Sequence, residues 1–416
     1  MKDTSKDLSE LPEELTTGER IRLLRERRGM SRPVLAGLVG KLPDWLKKIE
    51  TGVREIRSIT HLVQLANALR VSDVARLTGA DLAIPADAVG KLSHACVPGI
   101  REALHSVSFA GDPAVPPGSA EVLKGRVEEA WRLWHRSRHQ RTEVGALLPE
   151  LVRDAHACVR AHTGAERRAA HAATADLYRL VQRLLAHICE PELYWVALDR
   201  GRAHSEEADQ PVSLALAAWS TAIGQRAAGF AEEAVRTDEN GMALLRDRLE
   251  DGDAEVLGVY GALNLQAAIS CGLDGRAGDT ERYLAEADRT AARLPGGYTH
   301  TPSAFDGSNV VIHRVSTSVG LMSPGEALRR AQTVDPAAIG SLERRSRLLL
   351  DIAAGHVQKQ ESAAALHYLG HAFRVSPEAI RYVPMARGLA AELTRTATGP
   401  LKSEAVSLAE SIGVAA

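Results

Sequence analysis

Aromatic side chains are scarce: Phe, Trp and Tyr make up 4% of the 416 residues. A β-sandwich fills its inner faces with aromatic and β-branched side chains. The shortage disfavours that fold and favours closely packed helices filled by Ala and Leu. Cysteine is sparse as well. Cys96, Cys158, Cys189 and Cys271 are scattered, and none stands in C-x-x-C spacing. That argues against a disulfide framework and fits reduced thiols. No apolar run reaches membrane-spanning length. The N-terminal MKDTSKDLSELPEEL is polar and acidic and lacks the apolar core of a secretory signal. The expectation is a soluble, cytoplasmic protein with no membrane partner.

Motifs of catalysis are missing too. There is no Walker A loop, no G-x-G-x-x-G after a strand, no H-E-x-x-H and no G-x-S-x-G. The chain reads as no enzyme, with no catalytic residue, cofactor or metal. His367 and His371 stand four apart, with His356 in the preceding helix, and could form a metal face. No Cys or carboxylate completes that set, and solvated or hydrogen-bonded histidines are the commoner outcome. Arg179 and Arg183, also four apart, read as a solvated face.

A large net charge is absent, at −2 for the whole chain, but that figure hides a division. Residues 17–80 carry three lysines and ten arginines against two aspartates and four glutamates, a net of +7. A small basic module precedes a larger acidic body, which points to a polyanionic partner for the first.

The basic module reads as five short helices after a flexible tail, 1–15. Thr16 and Glu19 have capping-box spacing. Ile21, Leu24 and Arg28 share a face, and Gly29 ends the first helix. Ser31 caps a second, Pro33–Val39, in which Pro33 is tolerated in the first turn. Pro43 opens a third that stops at Gly52. Ser58 caps a fourth with Ile59, Leu62, Leu65, Ala66 and Leu69 at helical spacing, and SDVARLTG is a fifth. Residues 81–120, rich in Pro, Gly, Ser and Ala around one amphipathic stretch, GIREALHSV, read as a linker.

From 121 onward the spacing predicts helix after helix, from 121–139 through 165–188, 190–206, 230–248 and 377–396 to 401–412. Pairs recur at roughly 34–40 residues, the signature of a helical-hairpin solenoid. The best repeat is 349–377, with Ala353, Ala365, Ala372 and Pro377 at the small-residue and terminal-proline positions of a tetratricopeptide repeat. Leu328, Ala331 and Pro336 mark a second copy, and Ala268, Leu284 and Ala287 a weaker third. Small residues are needed there because neighbouring helices cross closely. An irregular bundle is the alternative.

The stretch KLPDWLKKIETGVR, 41–54, carries the chemistry. A helix in the major groove packs one face on its module and turns the other to base edges and phosphates. Within Pro43–Thr51, Trp45, Leu46 and Ile49 supply the packing side. Lys47 and Lys48 supply the wet side, and Asp44 sits near the N-terminus. Gly52 permits a sharp turn. Arg54 and Arg57 fall in the loop beyond, where phosphate oxygens lie, and Lys41 just precedes the helix. A solvated helix with ordinary lysines is the plainer reading, and the order of five short basic helices weighs against it.

Residues 17–80 resemble the Cro/repressor type of helix-turn-helix, the xenobiotic-response-element family, through IRLLRERRGMSRPVLAGLVG, DWLKKIETGVR and LVQLANALRVS. The resemblance implies a second helix over Ser31–Val39 and a recognition helix over Pro43–Thr51. It implies that Arg32 occupies a phosphate-anchoring position usually held by Gln. Pro43, Asp44 and Lys48 would face bases, and Arg25 and Glu50 would form a buried pair tying the first helix to the third. Pro43 cannot hydrogen-bond a base edge, so no sequence preference carries over. Asp44 could accept from a cytosine amino group or cap the helix.

In the solenoid, polar residues interrupt apolar helix faces. Asn264 follows Tyr260 by one turn, Asn309 precedes His313 by one turn, and Trp219 sits in LAAWSTA. First helices of such repeats line a concave groove, so these five are the candidate ligand-binding residues. Core polar groups satisfied internally are the alternative. The loop LPGGYTHTPSAFDG, 294–307, is long enough for a lid. The whole arrangement resembles a broad set of actinobacterial regulators and, more distantly, the RRNPP peptide-sensing regulators.

These readings converge on an all-α chain: a five-helix helix-turn-helix domain, 16–80, a linker, 81–120, and a tetratricopeptide-like sensory and dimerisation domain, 121–416. The expected function is a sequence-specific transcriptional regulator. It would act as a homodimer on a double-stranded operator, an inverted repeat, and sense a small molecule or peptide. The alternative is a solenoid that serves as a protein-interaction scaffold without a small ligand.

Overall fold

A computed structural model describes residues 15–39, 41–54, 56, 59–69, 71, 75–78, 94–106, 118–186, 188 and 191–414. Residues 1–14, Arg57, Ser58, 79–93, 107–117 and Cys189, on which some of the expectations above fall, lie outside the described residues. Among the described residues there is no strand. The nearest approach is a single bridge between His300 and Phe305.

The N-terminal unit contains α1 (Thr17–Arg27), α2 (Arg32–Leu38), α3 (Pro43–Glu50), α4 (Ile59–Ala68) and α5 (Ala75–Thr78). Each start has a local cause. Thr16 and Glu19 form a reciprocal capping box, with the Thr16 amide donating to Glu19 Oε2 at 2.9 Å. Ser31 caps α2, and Pro43 opens α3 where no intrahelical donor is required. Gly29 and Gly52 take left-handed backbone after α1 and α3. Ile21, Leu24, Leu35, Leu46, Ile49, Leu65 and Leu69 fill the common core. Gly18 sets how closely α1 meets α3: a Cβ there would stand 2.1 Å from the Ile49 carbonyl oxygen, so only hydrogen fits.

The body begins with α6 (Val97–His105), followed by α7 (Ala120–Arg136), α8 (Gln140–Ala161), α9 (Gly164–Leu185), α10 (Pro191–Ala208), α11 (Pro211–Ala227) and α12 (Ala231–Leu245). It continues with α13 (Ala254–Leu273), α14 (Ala277–Ala291), α15 (Gly307–Gly320), α16 (Pro324–Ala331) and α17 (Leu342–Gln358). The last four are α18 (Ser362–Val375), α19 (Pro377–Arg381), α20 (Pro384–Thr396) and α21 (Pro400–Ile412). Successive helices pack as hairpins, α9 on α10, α11 on α12, α13 on α14 and α17 on α18, while α11, α13, α15 and α17 stack side by side. Three apolar clusters follow one another along the chain. That is the layout of a repeat body in which each unit touches its neighbours. Ala268, Leu284, Ala287, Ala353, Ala365 and Ala372 are buried at helix crossings.

Four expectations change. The 81–120 segment is not linker throughout: α6 buries Val97, Ile100, Ala103 and Leu104 in the first cluster. The helix expected over 377–396 breaks at Pro384, which lacks an amide donor and forces Val383 into extended backbone. One segment does reach membrane-spanning length. Helix α13 is long and apolar enough by composition, but 83% of that stretch is buried inside the body. The loop 294–307 is pinned rather than free to act as a lid. Phe305 fills a notch at Gly261, where a Cβ would fall 1.9 Å from the ring, and His300 lies against Gly258.

The two ends of the solenoid also meet. Helix α7 packs on α17, and α19 packs on α8. His135 bonds Ser341 Oγ at 2.9 Å and the Thr301 carbonyl at 2.7 Å. Glu378 accepts from the Arg141 amide at 2.7 Å and the Thr142 amide at 3.0 Å. These are first-turn amides of α8, whose own N-cap residue His139 supplies no side-chain bond. A carboxylate there satisfies orphan donors and faces the positive end of the helix dipole. The expected open groove is thus a ring around a cavity.

Candidate nucleic-acid interface and cavity

Helix α3 owes its position to an ion cluster. Arg25 Nε meets Glu50 Oε1 at 2.5 Å and Arg25 Nη2 meets Glu50 Oε2 at 3.0 Å, with 6% and 0% of the side chains exposed. The Arg25 guanidinium is raised above its usual value, chiefly by that hydrogen bond. Arg32 joins the cluster, its Nε 2.6 Å from Glu50 Oε2. Arg32, implied as a phosphate anchor, commits its Nε to Glu50 while 37% of its side chain stays exposed. Both Glu50 oxygens already accept from Arg25, so Arg32 is a second guanidinium on the same buried carboxylate.

Pro43, Asp44, Lys47 and Lys48 are exposed on α3, while Leu46 and Ile49 are buried and Trp45 half-buried. Asp44 does not cap α3: its Oδ2 pairs with Lys48 Nζ at 2.7 Å, one turn on, and its carboxyl is lowered by that contact. Lys47 is exposed as well, so the two cations form the wet face of the helix.

Lys41 and Arg54, which bracket α3, are not directed to solvent. Lys41 Nζ pairs with Asp274 Oδ1 at 2.7 Å and retains 12% side-chain exposure. Arg54 Nη2 donates to the Asp274 carbonyl at 2.9 Å. Asp274 caps the C-terminus of α13, so the solenoid holds two residues assigned to DNA. His61 packs edge-on to Trp45 at 5.4 Å beside them. Burial, aided by Lys41, pushes its imidazole down to about 4, so it is neutral at pH 7.

The ring encloses a cavity of about 890 Å³. Its walls come from α7 to α11, α13, α15, α17, α19 and α20, and from Gln64 of α4. Arg141, Arg183, Arg226, Arg344 and Arg347 line it, against Glu343, Asp351 and Glu392. Arg183 Nη2 meets Glu343 Oε1 at 2.7 Å, and Arg344 Nε approaches Glu343 Oε2 at 3.2 Å. Burial opposes ionisation of Glu343, but Arg183 and Arg344 outweigh it and hold the carboxyl well below its usual range. Arg347 Nε straddles Asp351 at 3.1 and 3.2 Å, which raises its guanidinium. Burial pushes Arg344 and Arg141 down to about 10.

Of the five residues expected to bind a ligand, only His313 lines this cavity. Burial, with help from Arg344, lowers its imidazole to about 3. Its Nδ1 bonds the Asn309 carbonyl at 2.8 Å. The other four are corrected. Trp219, Asn264 and Asn309 are buried between helices, and Tyr260 packs against the middle cluster. Asn264 Nδ2 donates to the Tyr260 carbonyl at 2.9 Å, and Asn309 Nδ2 to that of Ser303 at 3.3 Å. A central helix of stacked hairpins has neighbours on every side, so a polar residue on it is no guide to the groove. Arg179 is corrected too: it is buried and bonds Ser205 Oγ at 3.2 Å and Asp176 Oδ1. Arg183 faces the cavity, not bulk solvent.

The arginines of the cavity escaped the sequence reading. A signal existed in Arg344, Arg347 and Asp351, which recur at helical spacing through the apolar run of α17. His356 stacks on Tyr368 at 5.4 Å and bonds Glu361 at 2.6 Å, while His367 and His371 lie edge to face at 6.4 Å.

No curated protein matches the chain. The profile of a family described as a helix-turn-helix domain matches residues 17–78, the span of α1 to α5. The N-terminal unit is a helix-turn-helix domain of the DNA-binding kind, followed by an all-helical, solenoid-like body.

Proposed function

We propose that this protein is a sequence-specific transcriptional regulator of the Cro/repressor type. In this reading its tetratricopeptide-like solenoid governs the access of the reading head to DNA in response to a small effector. The observation that carries the reading is the engagement of Lys41 and Arg54 by Asp274. A reading head needs those cations for phosphate oxygens, and here the sensory body occupies them. The same docking brings Gln64 of α4 into the cavity wall, so cavity and DNA face share one interface. An effector that binds the docked and undocked arrangements differently changes operator affinity by the ratio of the two affinities.

The remaining parts of the reading follow from it. A five-helix module contacts little DNA surface, so a homodimer on an inverted repeat supplies the missing affinity and specificity. The kinship extends to actinobacterial regulators of this architecture and, more distantly, to RRNPP regulators. The protein acts in the cytoplasm and performs no covalent chemistry. The test is Asp274→Ala. After operator selection from random duplexes, this variant should bind tighter than wild type and lose effector response. Unchanged or weaker affinity removes the latch. Light scattering that finds a monomer on a bound operator removes the dimer.

A further inference from the structure

We infer that the cavity inside the ring binds a small amphipathic anion: a carboxylate or phosphate head on an apolar body. This rests on the effector-sensing reading and gives it a ligand class.

The charge on the walls is out of balance. Five arginines face three carboxylates, and one of those, Glu392, lies 3.0 Å from Arg395, which does not line the cavity. Glu343 and Asp351 account for Arg183, Arg344 and Arg347. The hydrogen bonds of Arg226 and Arg141 run to neutral oxygens among the described residues. Arg226 Nη1 donates to Gln266 Oε1 at 2.6 Å, and Arg141 to the carbonyls of Ala186 and Glu378. Carboxylates act on these two only from a distance: Asp238 on Arg226, without a hydrogen bond and outside the cavity wall, and Glu343 and Glu378 on Arg141. A buried guanidinium with no carboxylate bonded to it is costly. Burial lowers Arg226 as it does Arg141 and Arg344. An anion in the cavity supplies the contact that Arg226 and Arg141 lack.

Unmet groups of both kinds line the cavity: Gln64 Oε1, Gln358 Oε1 and Glu343 Oε2 are acceptors that a donor elsewhere on the ligand would meet, and the donors call for an anionic head. Trp134 Nε1 and Arg141 Nε are buried, line the cavity and have no partner. Both need an acceptor, and neither can use a cation. His313, neutral at pH 7, adds no competing charge. The rest of the wall is apolar, with Ile223, Ile269, Ile312, Leu350 and Leu389. A volume of about 890 Å³ lies within the roughly 300–1,000 Å³ of small-molecule sites.

The probe is 8-anilinonaphthalene-1-sulfonate, itself an amphipathic anion, added to the full-length protein and followed by fluorescence. Decanoate, decyl phosphate, decanol and decyltrimethylammonium then compete. Charge-assisted hydrogen bonds predict that the two anions displace the dye at concentrations about tenfold or more below the neutral and cationic chains. The better of the two anions identifies the head group. Arg226→Gln should weaken dye and anion by about tenfold, and Arg226→Lys should restore part of the loss. Equal displacement by decanol or decyltrimethylammonium overturns the inference, and that wild-type comparison holds even if a variant fails to fold. Charge-selective binding with no change in operator affinity leaves the ligand class standing and sinks the regulator coupling. An operator response to neutral and anionic chains alike does the reverse.

Discussion

Glu378 closes the ring, and its removal should open it at neutral pH. Its carboxylate serves two amides of α8, Arg141 at 2.7 Å and Thr142 at 3.0 Å, as well as the Thr142 hydroxyl, with His94 Nε2 at 3.6 Å. Burial alone would raise this carboxyl. The His94 and Thr142 contacts and the Arg141 amide more than offset it and hold the group at about 2, against an ordinary 4.5. A displacement of about two to three units corresponds to roughly 3 kcal/mol favouring the closed, ionised state. Because the folded value is depressed, this stabilisation is fully present above the unfolded value near 4.5. It is lost as pH falls through the folded value near 2. Glu378→Gln keeps the size and removes the charge. At pH 7 the variant should unfold at lower urea concentration than wild type, and the α8 amides of Arg141 and Thr142 should exchange hydrogen faster. The gap should hold from pH 5 to 8 and narrow steadily below pH 4.5. Equal midpoints at pH 7, or a gap that widens on acidification, would refute the account of Glu378 as an ionised cap.

Other parts of the chain are open to equally direct tests. Glu50→Ala leaves Arg25 buried without its counter-charge and should destabilise the helix-turn-helix domain by about 3–5 kcal/mol, read as loss of the first melting transition. Unchanged melting would mean that the cluster does not hold α3. Lys47→Ala and Lys48→Ala should each lower the log–log salt slope of DNA binding by about one unit, with Lys48→Ala also altering base preference because its partner Asp44 is freed. A double variant with wild-type affinity would remove α3 from the interface. Asp238 is buried, neither carboxylate oxygen has a hydrogen-bond partner, and burial pushes its carboxyl well above the usual range. A raised folded value means that stability falls as pH climbs past the unfolded value near 3.9. Asp238→Asn should flatten the decline in melting temperature between pH 5 and 8, and an unaltered pH profile would contradict it.

The helix-turn-helix domain was legible because its signals are local. The capping box of Thr16 and Glu19, the proline at 43 and the glycines at 29 and 52 each act within a few residues of themselves. The Arg25–Glu50 pair follows from the resemblance alone, since α2 separates the helices that carry it. The Arg32 contact was not legible because nothing in the sequence says that one buried carboxylate, Glu50, takes two guanidiniums. The solenoid was legible as a run of helices with alanines at crossings, since close approach demands small residues wherever it occurs. Its closure was not. The bonds from Glu378 to Arg141 and Thr142 join residues more than 230 positions apart, and no local period encodes them. The cavity depends on that closure, so Arg141, Arg183 and Arg226 could not be told from surface arginines, and only the charges set in the apolar run of α17 gave a signal, while Asn264 and Asn309 looked like site residues and are buried between helices.

One helix connects the cavity to the helix-turn-helix domain. Helix α13 lends Gln266, Ile269, Gly272 and Leu273 to the cavity wall and ends on Asp274, the residue that holds Lys41 and Arg54. Gln266 is also the hydrogen-bond partner of Arg226. An anion that takes up the Arg226 guanidinium competes with Gln266 on the same face of α13, two turns before Asp274. Packed helices move as rigid pieces with discrete alternatives. A small displacement of α13 therefore reaches the Asp274 latch without any long relay through the rest of the ring. About 1.4 kcal/mol of difference between the latched and released states is enough for a tenfold change in operator affinity. A single charge-assisted hydrogen bond made in one state and absent in the other supplies that amount. On this geometry Gln266→Leu should leave the anion bound and operator affinity responsive to Asp274 substitution, yet weaken the coupling between the two. Unaltered coupling in that variant would require a route that bypasses α13.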